Sequence, residues 1–387
     1  MPENNLYYIY IDSKIEGTID QLLSYFQVNI LDANDCIYVY FKFYKDIEKY
    51  ITQKLHATGI RYKFIRKNSD FSFEKNKVVF YLFNAQSNCR VVARRDLTHI
   101  FVTHGESHKL ASIKPIIRIY DYVITSGQVG IERFLKAGIF NQYAIQQEDR
   151  VLKMGNTFIG QHIYKFDATS KALLYAPTWE GGVPEEDYSS LSLNTDTILN
   201  KIIQKNAFEK IYIQLHPNLG HRKRAYLKYL NKVIKKLKKL DISITIIKSN
   251  ITLKDRWSFS GCLLKKHDQL SNLKIQAAVV DISAMEMQLL SERIPTIVLY
   301  REQQLSNLII PSHIKHLYSV DQSIENCDFD QLDLSVRTLE IEDYYNYLIG
   351  YHEPFLEEMS FRERLQWLCH YATERKTADL SKSLDNY

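Results

Sequence analysis

Long apolar runs are missing from this chain of 387 residues. No stretch approaches the ~18 consecutive apolar residues that a membrane-crossing helix requires, which speaks against a transmembrane span. The opening Met1-Pro2-Glu3-Asn4-Asn5 has no charged segment leading into an apolar core, as a secretory leader would, so a cytoplasmic chain is expected. Cysteine is sparse: Cys36, Cys89, Cys262, Cys327 and Cys369 are odd in number and scattered. Without close pairs they read as reduced thiols, not as a disulfide framework, a zinc site or a redox motif. Glycine (13) and proline (8) are also few beside abundant Ile, Lys, Asn and Tyr, a bias we attribute to an AT-rich genome. There is no internal repeat and no low-complexity linker.

What is present is alternation. Leu6–Ile11, Cys36–Phe43, Val78–Phe83 and Tyr120–Thr125 are strand-like runs, and Ile19–Gln27, Ile47–His56 and Gln128–Ala137 have helical periodicity. Strands alternating with helices predict a parallel sheet. Val151–Gly160 leads out of this half, and a second α/β half opens near Lys171. With 45% hydrophobic residues the length suits two domains, each with its own core. Residues 341–376 read as closing amphipathic helices without strands.

Several strands end in chemically useful side chains. Val279-Val280-Asp281-Ile282-Ser283-Ala284-Met285-Glu286-Met287, followed by Ile294-Pro295-Thr296-Ile297-Val298, is a strand, helix, strand unit. Its turn sets Ser283 and the first N–H groups of a helix at the carboxyl end of a strand, where open parallel sheets bind phosphorylated ligands. Lys171 to Trp179 and Ile211 to Pro217 are two more strands running into polar groups. In the first half Ile100-Phe101-Val102-Thr103 leads into His104-Gly105-Glu106-Ser107-His108-Lys109.

The ordered set His104-Gly105 with Lys109, Tyr175-Ala176-Pro177-Thr178-Trp179, His216-Pro217, and Asp281-Ile282-Ser283-Ala284 with Pro295 resembles the CDP-glycerol glycerophosphotransferase family, which builds teichoic acids and related bacterial capsule polymers. The match spans roughly residues 100 to 300, and only the order of the pieces makes it specific. The resemblance implies two Rossmann-like domains facing a cleft, as in B-type glycosyltransferases, with a C-terminal helical segment returning to the first domain. Expected boundaries are 1–165 for an acceptor-side domain, 166–340 for a nucleotide-donor domain and 341–387 for the helices. The chain departs from the family at Gly155-Asn156-Thr157-Phe158, where Gly-x-Pro-Arg is usual, and at Glu180, where an Arg often stands. A second Ser after Ser283 and an acidic residue at Gln288 are also missing. These changes remove two cationic phosphate contacts and leave the polyol open.

The implied chemistry is attack of an acceptor hydroxyl on the polyol-bearing phosphate of a CDP-activated donor, with CMP leaving. His104 is expected to be the general base. His216, Ser283, Ala284, Lys109 and Thr178 are expected to hold the donor phosphates, and Glu286 or Gln288 the ribose. Each has a plainer reading. His104 can be a capping or core histidine, His216 can simply end a strand, Ser283 can be only an N-cap, and Lys109 and Glu286 can face solvent. No metal cluster is visible, and no cofactor beyond the CDP-glycerol or CDP-ribitol substrate is expected; a divalent cation is not indicated. Asp328-Phe329-Asp330 has the spacing of a metal-binding pair but sits in a polar, irregular stretch and reads as a surface turn.

Residues 221–240 form a one-sided basic helix, with Lys228, Lys232, Lys235, Lys236 and Lys239 among its cations and Leu227, Leu230, Val233, Ile234 and Leu237 at helical spacing. A solvated face on a Rossmann helix and adhesion to the inner, anionic face of the cell membrane are both compatible with it. A net charge of +5 without interleaved stacking aromatics disfavours nucleic acid. The expected acceptor is lipid-linked or an oligosaccharide. Two other classes stay open: a glycosyltransferase of the same architecture that uses a nucleotide sugar, and a non-catalytic protein that binds anionic surfaces.

Overall fold

The structure, a computed structural model, describes residues 5–103, 106–157, 163–305, 308, 310–312 and 334–384. The chain divides into two compact units, one made of 1–104, 113–160 and 349–387, the other of 105–112 and 161–348. Segment 105–112, which the sequence reading kept with the first half, therefore belongs to the second unit.

In the first unit the chain runs β1 (Tyr7–Ile11), α1 (Glu16–Gln27), β2 (Cys36–Lys42), α2 (Lys45–Leu55), β3 (Tyr62–Ile65), β4 (Val78–Tyr81), α3 (Cys89–Val92), β5 (Thr98–Phe101), β6 (Tyr122–Thr125), α4 (Gln128–Lys136), α5 (Gln142–Gln146) and β7 (Val151–Lys153). The strands form one parallel sheet in the order β3-β2-β1-β4-β5-β6-β7, the doubly wound arrangement with its reversal between β1 and β4. Both faces are covered, which is why β1 is apolar throughout: Tyr7, Ile9 and Ile11 enter one core and Tyr8 and Tyr10 the other. The first core is closed by α1, α2 and the last helix of the chain, α12 (Phe361–Leu384), through Leu365, Leu368 and Ala372. Polar contacts fix its register. Asp35 Oδ2 accepts from Arg362 Nε at 3.0 Å and Gln366 Nε2 at 2.9 Å, and Arg362 Nη1 also meets Asp32 at 3.0 Å.

Gly155 stands where the sequence departs from the Gly-x-Pro-Arg pattern. It adopts a φ of +70°, and a Cβ there would lie 2.2 Å from the Tyr351 ring. Its conformation and the close ring both require glycine. Phe158 and the Asp328-Phe329-Asp330 stretch lie outside the described residues.

The second unit contains β8 (Tyr164–Phe166), β9 (Ala172–Ala176), α6 (Thr195–Lys205), β10 (Lys210–Gln214), α7 (Ala225–Leu237), β11 (Ser243–Lys248), α8 (Leu253–Ser258), β12 (Leu263–Lys266), β13 (Leu273–Ile275), β14 (Ala277–Asp281), α9 (Ala284–Ser291), β15 (Thr296–Leu299), α10 (Glu302–Leu305) and α11 (Leu334–Leu348). Its main sheet is parallel, in the order β12-β11-β10-β9-β14-β15, while β8 pairs with β13 apart from it. The order reverses between β9 and β14. Helices α6 and α7 cover one face through Ile198, Leu199, Ile202, Leu230, Val233 and Leu237. Two features of α7 differ from the sequence reading: Leu227 is exposed, and Lys232 is committed to the Leu193 carbonyl at 2.6 Å and to Asp196 at 3.2 Å. No helix of the described residues is long and apolar enough to cross a membrane.

The docking of α12 is testable. Leu368→Ala, at a fully buried position, should cost about 2–5 kcal/mol. Asp35→Asn, which keeps shape but removes the charge facing Arg362, should cost about 1–3 kcal/mol. Urea unfolding measures both losses, and hydrogen exchange should show α12 amides losing protection before those of β1 and β4.

Candidate functional site

The carboxyl ends of β9 and β14 flank the strand-order reversal of the second sheet, the place where open parallel sheets bind their ligands. Asp281, the last residue of β14, is completely buried, and its Oδ2 accepts from the Thr178 N–H at 2.6 Å. This bond ties the two strand ends together. Thr178 in turn receives the Lys109 ammonium on its hydroxyl oxygen at 3.3 Å, and Lys109 lies 5.5 Å from the centre of the Tyr188 ring. The Tyr188 hydroxyl accepts from the Leu110 N–H at 3.3 Å, anchoring Leu110 to the segment between β9 and α6.

Burial sets the protonation behaviour of this group. It pushes the Asp281 carboxyl up to about 7, although Ser190, Thr178 and Lys109 all favour its charged form. Burial also holds the Lys109 ammonium below its usual range, with Asp281 and Glu186 working against that.

His216 follows β10, its ring stacked on Trp179 with centroids 5.8 Å apart and planes 13° apart. Its Nδ1 accepts from the Asn218 N–H at 3.1 Å, so Nε2 carries the ring proton of the neutral form. Burial, helped by the Lys109 charge, pulls its pKa down to about 4. At neutral pH His216 is thus an uncharged hydrogen-bond donor.

Ser283 is the N-cap of α9 and accepts from the Met285 N–H at 3.3 Å, while the Glu286 N–H bonds the Ser283 carbonyl. The cap uses the Ser283 oxygen and leaves its proton to donate; neither bond uses the Ala284 N–H. Glu286 does not face water. It is buried under α11, where its Oε1 accepts from the Tyr344 hydroxyl at 3.0 Å. Gln288, two residues further along the helix and so on a different face, is half-buried. His104 lies outside the described residues.

Glu180 occupies the position where an Arg was expected, and the structure gives it a different task. Its Oε1 accepts from the N–H groups of Arg222 at 2.7 Å and Lys223 at 2.8 Å, and its Oε2 from Gly220 at 2.9 Å. Burial works to raise its pKa, but the backbone donors outweigh burial and leave the carboxyl below its ordinary value. The next residue, Gly181, has a φ of +69°, and a Cβ there would meet the Glu186 carbonyl oxygen at 2.4 Å. Sequence reasoning assigned no part to Asp281, Glu180 or Tyr188. An acidic residue closing a fully apolar strand was the available signal for Asp281.

The segments that sequence singled out thus meet around one strand-order reversal: Lys109, the β9 end with Thr178, the β10 end with His216, and the β14 end leading into Ser283 and α9. Such an array of ammonium, neutral imidazole, hydroxyls and helix N-terminus can hold an anion. Among the described residues no group of three His, Cys, Asp or Glu side chains is arranged to hold a metal ion.

No protein-family model matches the chain, and no curated protein matches it in sequence. Similar solved structures include UDP-GlcNAc 2-epimerase from Neisseria meningitidis bound to UDP-GlcNAc, with 11% identity over 95% of this chain and 99% of that one and a TM-score of 0.47. The E. coli heptosyltransferase WaaC with ADP is 13% identical over 87% of this chain and 99% of its own, with a TM-score of 0.33. Acinetobacter baumannii MurG is 8% identical over 96% and 99%, with a TM-score of 0.38. At that level of likeness their activities remain statements about those proteins.

The pKa of His216 generates a stability prediction. Between pH 6.5 and about 4 the unfolded chain takes up a proton that folded His216 refuses, so this residue makes the fold less stable as pH falls through that window. His216→Gln removes the term. Relative to the parent, the variant should gain stability from pH 7 to pH 5, by up to about 2 kcal/mol, in paired urea titrations. A difference that stays constant with pH would show that the imidazole is freely protonated.

Proposed function

We propose that the chain is a transferase that moves a polyol phosphate, glycerol phosphate in the first instance, from a CDP-activated donor to a hydroxyl of a lipid-linked or oligosaccharide acceptor in bacterial surface-polymer synthesis. The observation that carries this reading is the Lys109 ammonium resting on Thr178 at the β9/β14 reversal, beside His216 and the N-terminus of α9. It supports a phosphate-binding role for the ordered motifs that resemble the CDP-glycerol glycerophosphotransferases, and the family supplies the donor.

In this reading the acceptor oxygen forms a bond to the polyol-bearing phosphorus, and the bond from that phosphorus to the bridging oxygen breaks. CMP leaves with the electron pair, and the acceptor proton passes to His104. Lys109, the Thr178 and Ser283 hydroxyls, His216 Nε2–H and the Ala284 N–H hold the donor phosphates and the charge that grows on departing CMP. Neutral His216 suits that task because it donates without repelling Lys109. Glu286, buried against Tyr344, is engaged inside the unit, so Gln288 is the better of the two for the ribose.

Incubation with CDP-glycerol and CDP-ribitol in turn, with chromatographic detection of CMP, tests the reaction; release of a nucleoside diphosphate from a nucleotide sugar, with no CMP from either donor, would overturn it. His104→Ala should lower turnover about 10²- to 10⁴-fold and leave CMP affinity within a few-fold. Lys109→Met should instead weaken CMP binding about 10- to 100-fold, the loss of a charged hydrogen bond. Unchanged CMP affinity in both Lys109→Met and Ser283→Ala would remove the donor site from the second unit.

A further inference from the structure

Helix α8 is short but firmly held. Thr252 caps it, accepting from the Asp255 N–H, while the Asp255 carboxylate accepts from Thr252 N at 2.8 Å and pairs with Lys248. Asp255 and Phe259 face inward and are buried. That orientation turns the opposite face outward, and it carries Leu253, 78% exposed, and Trp257, 84% exposed, four residues apart and therefore side by side. Beyond the helix Leu263, 57% exposed, lies on β12, the edge strand of the sheet. An indole and a leucine held out together on a capped helix are a costly way to meet water, and they point to a partner.

The charge around them says what kind. Lys254 and Arg256 are exposed on α8 itself and Lys265 on β12. The α7 helix joins the same surface, because the Lys238 ammonium donates to the Ser260 carbonyl just past Trp257. From residue 225 to 270 there are eleven lysines and arginines against three aspartates, an excess larger than the net +5 of the whole chain. Of those aspartates, Asp255 is buried and paired, leaving Asp241 and Asp268 at the surface. A second copy of this chain would bring the same cations face to face, and the lysines on the β12 edge oppose strand pairing.

We propose that α8 is the insertion point of an interfacial membrane site: Leu253 and Trp257 enter the headgroup region of an anionic bilayer while the exposed lysines of α7 and β12 lie over its phosphates. Aromatic and aliphatic side chains at headgroup depth, ringed by cations, are the pattern of a peripheral anchor. The site is separate from the strand-end array around Thr178, and it does not depend on the transferase reading.

The full chain should co-sediment with phosphatidylcholine vesicles that contain phosphatidylglycerol and much less with phosphatidylcholine alone. The emission of Trp257, taken as the difference between the parent and Trp257→Phe, should shift to the blue on adding the anionic vesicles. Leu253→Ser with Trp257→Ser should reduce partitioning at least about tenfold, and each of Lys235→Gln, Lys236→Gln and Lys239→Gln about fivefold at low salt. Circular dichroism controls for folding, since all five side chains are exposed. Unmoved Trp257 emission, equal binding to both kinds of vesicle, or a double serine variant that sediments like its parent would each overturn the proposal. So would a loss of self-association in that variant, measured by light scattering with vesicle binding intact, which would assign the patch to a second copy.

Discussion

The hydrogen bond from the Thr178 N–H to Asp281 Oδ2 is the contact on which the candidate site depends. Parallel strands β9 and β14 are neighbours in the sheet, but nothing in the ladder itself fixes the residues beyond Ala176 and Asp281. A fully buried carboxylate does so by gripping the backbone one strand over. With Thr178 held, its hydroxyl meets Lys109, Trp179 lies against His216, and Glu180 reaches the turn before α7. Three consecutive side chains are aimed by a single backbone bond.

The same carboxylate makes the site electrically responsive. Asp281 is driven up toward neutrality and Lys109 down, so burial works against both charges and each supports the other. His216 stays neutral, and its Nδ1 is committed to Asn218, which fixes the direction of its remaining proton. An entering anion would favour charged Lys109 and protonated Asp281 at once. That response arises from desolvation of the pair more than from a surplus of cations.

Much of this architecture was legible in the sequence because it rests on periodicity. The apolar runs beginning at Leu6, Cys36, Val78, Tyr120, Lys171 and Ile211 became strands with ends shifted by a residue or two, and Ser283 opened a helix as its place after a strand implied. Strand β3 (Tyr62–Ile65), with alternating Lys63, and β12 (Leu263–Lys266), with its two lysines, escaped notice because edge strands need little apolar character. The membership of 105–112 in the second unit could not be read either, since it depends on Tyr188 and Thr178, far away in sequence. Glu180 shows the limit most clearly. Judged against a family pattern it was an arginine gone missing, whereas its role comes from three backbone N–H groups some forty residues downstream. Leu227 and Lys232 illustrate the converse, since helical spacing put them on faces that a neighbouring turn and Asp196 reassigned.

Glu180 also ties the end of β9 to the turn before α7. The chain between His216 and the start of α7 is short, and its turn would be free to swing if its backbone donors were satisfied only by water. Instead a carboxylate from the β9 end takes the N–H groups of Gly220, Arg222 and Lys223, and the Arg222 guanidinium returns to the Glu180 and Gly181 carbonyls. Gly220 completes the turn with a φ of +80°, a conformation that suits glycine, as a Cβ there would also press on Leu227. The lysine face of α7 is consequently held in a fixed relation to His216, with Lys238 carrying that relation on to α8 and Trp257. A surface that settles on a bilayer through α8 would therefore set the height and tilt of the strand-end array above the lipid. An acceptor carried by that lipid would then meet the array at a constant distance. The three backbone N–H groups of that turn account for an acidic residue at position 180, since a carboxylate can accept from all of them and a guanidinium from none.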